Sequence, residues 1–146
     1  MYQLPEKFTG YDAVEVGVDV FQSLCFSLQG MGIVNIQNVN GYDYPKNYYS
    51  ALAEDGEGKF HIYMNCFTSV FCFGHITDEK QVYLTKGELE FAIKELYPDA
   101  VVLSESILKQ EITKESKVKL RSTELKQLNY WLPCSVGRVM FSWFFD

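Results

Sequence analysis

Nowhere in the chain do apolar residues run for the ~18 positions that a membrane-crossing helix requires. The amino-terminal stretch MYQLPEKFTGYD also has neither the basic start nor the apolar core of a secretory signal. A membrane is therefore not an expected partner, and a cytoplasmic location is. Positive charge is scarce too: 13 Lys and Arg face 19 Asp and Glu, for a formal net charge of −6 and a pI near 4.9. Such a balance repels phosphate backbones and anionic lipid, so nucleic acid is not expected to bind. Cysteine is limited to Cys25, Cys66, Cys72 and Cys134, each among apolar or aromatic neighbours and none at disulfide-framework spacing, which predicts reduced, buried thiols. No linker rich in Pro, Gly or Ser divides the sequence and no period of 20–50 residues repeats. Residues 1–146 are expected to form a single domain.

Catalytic signatures are equally sparse. G-x-S-x-G does not occur, and the apolar surroundings of the cysteines raise rather than lower a thiol pKa. Cys66 and His75 could still meet across a hairpin. Gly56 and Gly58 lie among carboxylates that would repel a nucleotide phosphate. His61, Cys66, Cys72 and His75 fall within fifteen residues, yet without the close pairs that zinc sites use. On unbulged strands the two histidines share one parity and the two cysteines the other. No catalytic residue, metal or cofactor is expected.

What the chain does have is aromatic and acidic. Aromatics make up 16% of it. Residues 1–60 carry eight carboxylates against three lysines, whereas the remainder is nearly balanced. Both features concentrate in Tyr42–Glu57, YDYPKNYYSALAEDGE, where four tyrosines and four carboxylates surround a single lysine. Tyrosine offers large, rigid, half-polar contact area and carboxylates steer a basic partner, so the segment resembles an interface. The candidate partner-binding residues are Tyr42, Asp43, Tyr44, Tyr48, Tyr49, Glu54, Asp55 and Glu57. The competing reading makes Tyr48 and Tyr49 strand residues, one facing the core, and Asp55-Gly56 only a turn. A second acidic stretch, Asp12–Asp19, is the alternative place for an interface.

The periodicities predict an α+β fold: an antiparallel sheet of four to six strands with helices packed mainly from the carboxyl-terminal half. Val14–Gln29 alternates like a strand at first and then follows helical spacing, with Gly30 as a stop. Ile33–Ile36 reads as a strand. Tyr48–Ala53 and Lys59–Cys66 flank an Asp-Gly turn, and Ser69–Ile76 and Gln81–Leu84 follow. Both parities of Phe60–Phe73 are apolar, which places that hairpin mid-sheet under cover on both faces. Thr85-Lys86-Gly87-Glu88 is a capping-box pattern opening a helix whose stripe includes Leu89, Phe91, Ile93 and Leu96 and which Pro98 ends. Ala100–Leu103 is a strand, 105–121 helix or loop, and a helix runs from Ser122 to Trp131. Leu132-Pro133 breaks the chain before a last amphipathic helix, Ser135–Phe145, expected to bury Trp143.

That tail, Trp131-x-Pro133-x-x-x-Gly137-x-x-x-Phe141-x-Trp143, resembles the ends of small bacterial immunity proteins, the antidotes of contact-dependent-inhibition and other polymorphic toxins. The resemblance spans about fifteen residues, and Phe145 before Asp146 departs from the usual Trp-Asp ending. It implies a cytosolic inhibitor without enzymatic activity that binds one cognate toxin domain tightly; the protein is expected to be a monomer or a weak dimer. Such toxins are often basic nucleases, which the acidic, tyrosine-rich segment would suit. A small hydrolase or transferase with an unrecognised site, and a general adaptor or structural subunit, are the alternatives.

Overall fold

The computed structural model describes residues 1–77 and 79–145. Five strands, β1 (Asn35–Asn40), β2 (Tyr48–Asp55), β3 (Gly58–Asn65), β4 (Val70–Ile76) and β5 (Gln81–Leu84), form an antiparallel meander in chain order. A two-residue strand, β6 (Val101–Val102), joins in parallel along the first half of β4. Helices α1 (Val18–Gly30) and α2 (Gly87–Leu96) are followed by α3 (Glu105–Leu108), α4 (Ser122–Trp131) and α5 (Val136–Met140), so the α+β architecture is as expected. No helix among the described residues is long and apolar enough to cross a membrane.

The β2–β3 hairpin follows from its turn. Asp55 accepts the Glu57 N–H at 2.9 Å, and Gly58 adopts φ 128°, a conformation that L side chains rarely take. Along β2 the side chains then alternate: Tyr49, Ala51 and Ala53 are buried, and Tyr48, Ser50 and Leu52 point the other way. α1 and α2 close over the first face, packing Phe21, Leu24, Leu28 and Ile93 on Tyr49, Ile62 and Phe73. The amino-terminal segment and α3–α5 cover the second, with Phe8, Leu108, Val139 and Phe141 against Tyr63 and Cys72. β3 and β4 are thus covered on both sides, as their composition predicts.

Several local expectations are corrected. The first strand is Asn35–Asn40 rather than Ile33–Ile36. Thr85 does not cap α2: the cap position is Lys86, with no side-chain capping bond, and Phe91 (67% exposed) and Leu96 (43%) lie outside the buried stripe. Most of 105–121 is irregular, around α3 and a 3-10 turn at Glu115–Lys117. The last helix ends at Met140, leaving Trp143 42% exposed. Gly137 of the tail motif is where α5 meets β5, because a Cβ there would overlap the Tyr83 hydroxyl. Cys134 is exposed, whereas the other three cysteines are buried.

One buried charge ties the termini together. Glu124 on α4 is completely buried and accepts the Arg121 N–H at 2.9 Å, while the Arg121 guanidinium forks onto both of its oxygens and also donates to the Tyr11 carbonyl at 2.8 Å. Burial pushes the Glu124 carboxyl up, but the bonds from Arg121 and Thr123 outweigh it and the net shift is downward from 4.5. A depressed carboxyl stabilises the fold above its unfolded pKa, and that contribution disappears as pH falls through the folded value. Stability is therefore expected to hold down to about pH 4.5 and to decline below it. Glu124→Gln should lose about 2 kcal/mol at neutral pH, the partial exposure of Arg121 moderating the cost, and show a shallower acid decline. Urea titrations across pH measure both; an unaltered acid limb in the variant would refute the assignment.

Candidate functional site

The structure divides the expected interface residues. Tyr42, Asp43 and Tyr44 stand exposed on the loop joining β1 to β2, with Tyr42 40% and Tyr44 63% exposed. Tyr48 opens β2 below them, half-buried and edge-on to Tyr63 at 5.5 Å. Tyr42, Asp43 and Tyr48, together with Asn40, Lys46 and Ser50, border a groove of about 460 Å³. Glu54, Asp55 and Glu57 lie at the opposite end of β2, about 20 Å away at the usual rise per strand residue, and belong to a different surface. There Asp55 pairs with Lys86 at 2.9 Å, and Lys86 also sits over the Phe60 ring at 4.6 Å. That hydrogen bond from Lys86 holds the Asp55 carboxyl below its ordinary value.

Tyr49 does not belong to an interface. Its neighbour Tyr48 packs on the face covered by the tail, so strand alternation sends Tyr49 to the opposite face, where it is fully buried and stacked on Phe21 at 5.6 Å. Its hydroxyl donates to Glu15 at 2.6 Å and accepts the Gly17 N–H at 2.8 Å. Burial and then the bond to Glu15 raise the phenol far above its ordinary pKa, so it remains a donor at all working pH. The consequence is that Glu15, from the second acidic stretch, is anchored beside the loop. Tyr42 reports the same proximity: its phenol is raised by burial first and then by Cys66, Tyr44 and Glu15. Glu15 and Tyr42, 27 positions apart in the sequence, are thus neighbours in the fold.

Two buried asparagines hold this neighbourhood to the core. Asn47 Nδ2 donates to the carbonyls of Phe8 (2.9 Å) and Val139 (3.1 Å), and its Oδ1 accepts the Ser142 N–H at 2.8 Å. The Asn47 backbone N–H in turn donates to the Ser142 carbonyl at 3.0 Å. Asn65 Nδ2 reaches the carbonyls of Met140 (2.8 Å) and Phe8 (3.3 Å). The amino-terminal segment, the loop and the tail thus meet at one polar knot. Sequence reading missed both asparagines, since a lone Asn carries no local signal of its distant partners.

Beyond Ser142 the tail forms an exposed aromatic chain. Trp143 contacts Phe144 at 5.8 Å, Phe144 contacts Trp131 at 5.2 Å, and Trp131 contacts Tyr130 at 5.0 Å. Tyr130 and Leu132 are each 76% exposed. Aromatic clusters of this kind on a surface mark interaction sites more often than chance.

The buried cysteines are poorly suited to nucleophilic chemistry. Burial pushes the Cys25 thiol up to about 12 and those of Cys66 and Cys72 higher still, far from the thiolate a nucleophile needs. Cys66 and Cys72 lie on opposite faces of the sheet, against the shared side that strand parity predicts. The His61 and His75 rings stand 6.0 Å apart, and burial followed by the charge of His75 lowers the His61 pKa. Among the described residues no three His, Cys, Asp or Glu gather as metal ligands. Comparison with protein-family models, curated proteins and solved structures finds no match to this chain.

Proposed function

We propose that this chain is a cytoplasmic immunity-type protein without enzymatic activity, monomeric or weakly dimeric, that neutralises one cognate toxin domain of basic charge. The binding surface is the loop Tyr42–Tyr44 with Glu15 beside it, extended by Trp143 across the Asn47–Ser142 bonds. The observation that carries this reading is the presentation of the loop: two exposed tyrosines and a carboxylate stand on a segment whose base is hydrogen-bonded into the core. Rings held this way lose little conformational freedom on binding, which is the economy that interface hot spots use. The acidic balance supplies the steering, and the resemblance of the tail to immunity proteins supplies the class of partner.

Co-expression with the polypeptide encoded immediately upstream tests the reading. A stable complex in which that polypeptide loses its toxicity is the expected result. Association should also slow steeply as salt rises, because steering between opposite charges is screened over about 8 Å at physiological ionic strength. Stopped-flow mixing measures this, and an on-rate indifferent to salt would remove the acidic surface from the argument.

A further inference from the structure

On the far side of the sheet edge, where β6 meets β4, lies a cavity of about 710 Å³, within the size range of small-molecule sites. Its walls are apolar: Tyr2 and Pro5 of the amino-terminal segment, Val70 of β4 and Val101 of β6. The segment that forms one wall is fixed, since the Tyr2 N–H donates to Gln110 Oε1 at 3.0 Å and the Leu4 N–H to the Ser116 carbonyl at 2.9 Å.

Of the polar groups on this cavity, the Ser69 hydroxyl is committed to that of Tyr97 at 2.8 Å, but others are unspent. Thr68, in the β3–β4 turn, lines it, and its hydroxyl is buried with no hydrogen-bond partner. An orphan buried hydroxyl costs free energy and is rare in native structures, and a guest in the cavity would satisfy it. Rotation about χ1 moves a threonine hydroxyl between staggered positions and could turn it toward a guest. Glu6, Asp99 and Lys119 also border the cavity, and none of them forms an ion pair among the described residues. Exposed charges of both signs therefore rim one largely apolar space.

We propose that this cavity binds a small zwitterion with an apolar body, the chemistry of a short apolar peptide. Asp99 and Glu6 receive its ammonium, Lys119 and the Thr68 hydroxyl its carboxylate, and the Tyr2, Pro5, Val70 and Val101 walls its side chains. The site is separate from the toxin-binding loop and stands whether or not that reading holds.

Calorimetric titration of the whole chain with the dipeptide Leu-Leu, at up to millimolar concentration, is the test, with isoamylamine and isovalerate as controls that each carry one charge. Saturable binding of Leu-Leu, at least about tenfold tighter than either control, is expected. Thr68→Val should weaken it about tenfold while leaving the melting temperature unchanged or higher, because a hydroxyl without a partner contributes nothing to the fold. Lys119→Met should weaken it similarly, and Val101→Trp, at a position 44% exposed, should block the cavity without unfolding the chain. No binding of Leu-Leu overturns the proposal. So does binding that survives Thr68→Val and Val101→Trp, or a Thr68→Val variant that melts markedly lower, which would give the hydroxyl a structural role.

Discussion

Asn47→Ala is expected to lower the stability of the protein by about 3–4 kcal/mol, a third or more of the total that a domain of this size usually has. The side chain is 1% exposed and makes three hydrogen bonds, to Phe8 of the amino-terminal segment and to Val139 and Ser142 of the tail. Truncation leaves two carbonyls and one N–H buried without these partners, at about 1–3 kcal/mol each before relaxation. The melting temperature should fall by roughly 10 °C. Asn47→Asp should be no better, because it keeps the acceptor for Ser142 but replaces both donors with a buried charge. Asn65→Ala should cost a similar amount, and the double variant less than the sum, since both side chains donate to the Phe8 carbonyl. Thermal and urea unfolding measure these values. A variant that melts within a degree or two of the parent would mean that the knot does not hold the tail to the loop.

That knot also explains what the sequence could and could not reveal. Strand alternation and the Asp55-Gly56 turn announce β2 and β3 because period-two burial and turn chemistry are local. The last helix is different. Local spacing continues an amphipathic pattern through Trp143, with no Gly or Pro to stop it, yet the chain turns extended at Phe141 (φ −133°) and spends both backbone groups of Ser142 on Asn47. Bonds to a residue 95 positions away override a local preference, and no window of sequence contains them. Thr85 fails as a cap for a comparable reason: it directly follows β5, and Lys86, committed to Asp55 and Phe60, takes the cap position. Composition points to a candidate site whose extent along the chain differs from its extent in the fold. Tyr42–Glu57 looks like one patch when read along the chain, whereas eight residues of β2 carry its two ends apart and alternation sends Tyr49 into the core. Glu15, invisible as a member of that patch, arrives through a hydrogen bond to the residue that leaves it.

The functional reading makes its sharpest claim about single side chains. Tyr42→Ala, Tyr44→Ala and Trp143→Ala are each expected to weaken binding to the cognate toxin domain about 30-fold or more, which corresponds to about 2 kcal/mol. Their effect on folding should be small for the two loop tyrosines and below about 2 kcal/mol for Trp143, whose ring is partly packed on Phe144. Tyr49→Ala should behave in the opposite way: it removes a fully buried ring and the anchor of Glu15, so it should cost about 3–5 kcal/mol of stability. Glu57→Ala, at the other end of β2, should bind normally, because its exposed carboxylate belongs to the surface around Lys86. Affinity by calorimetry and unfolding by urea, taken on the same five variants, separate recognition from packing. If the loop tyrosines and Trp143 can all be truncated without loss of affinity while Glu57→Ala binds poorly, the partner sits on the Asp55–Lys86 end of the sheet. The loop anchored by Asn47 would then serve only to join the tail to the core.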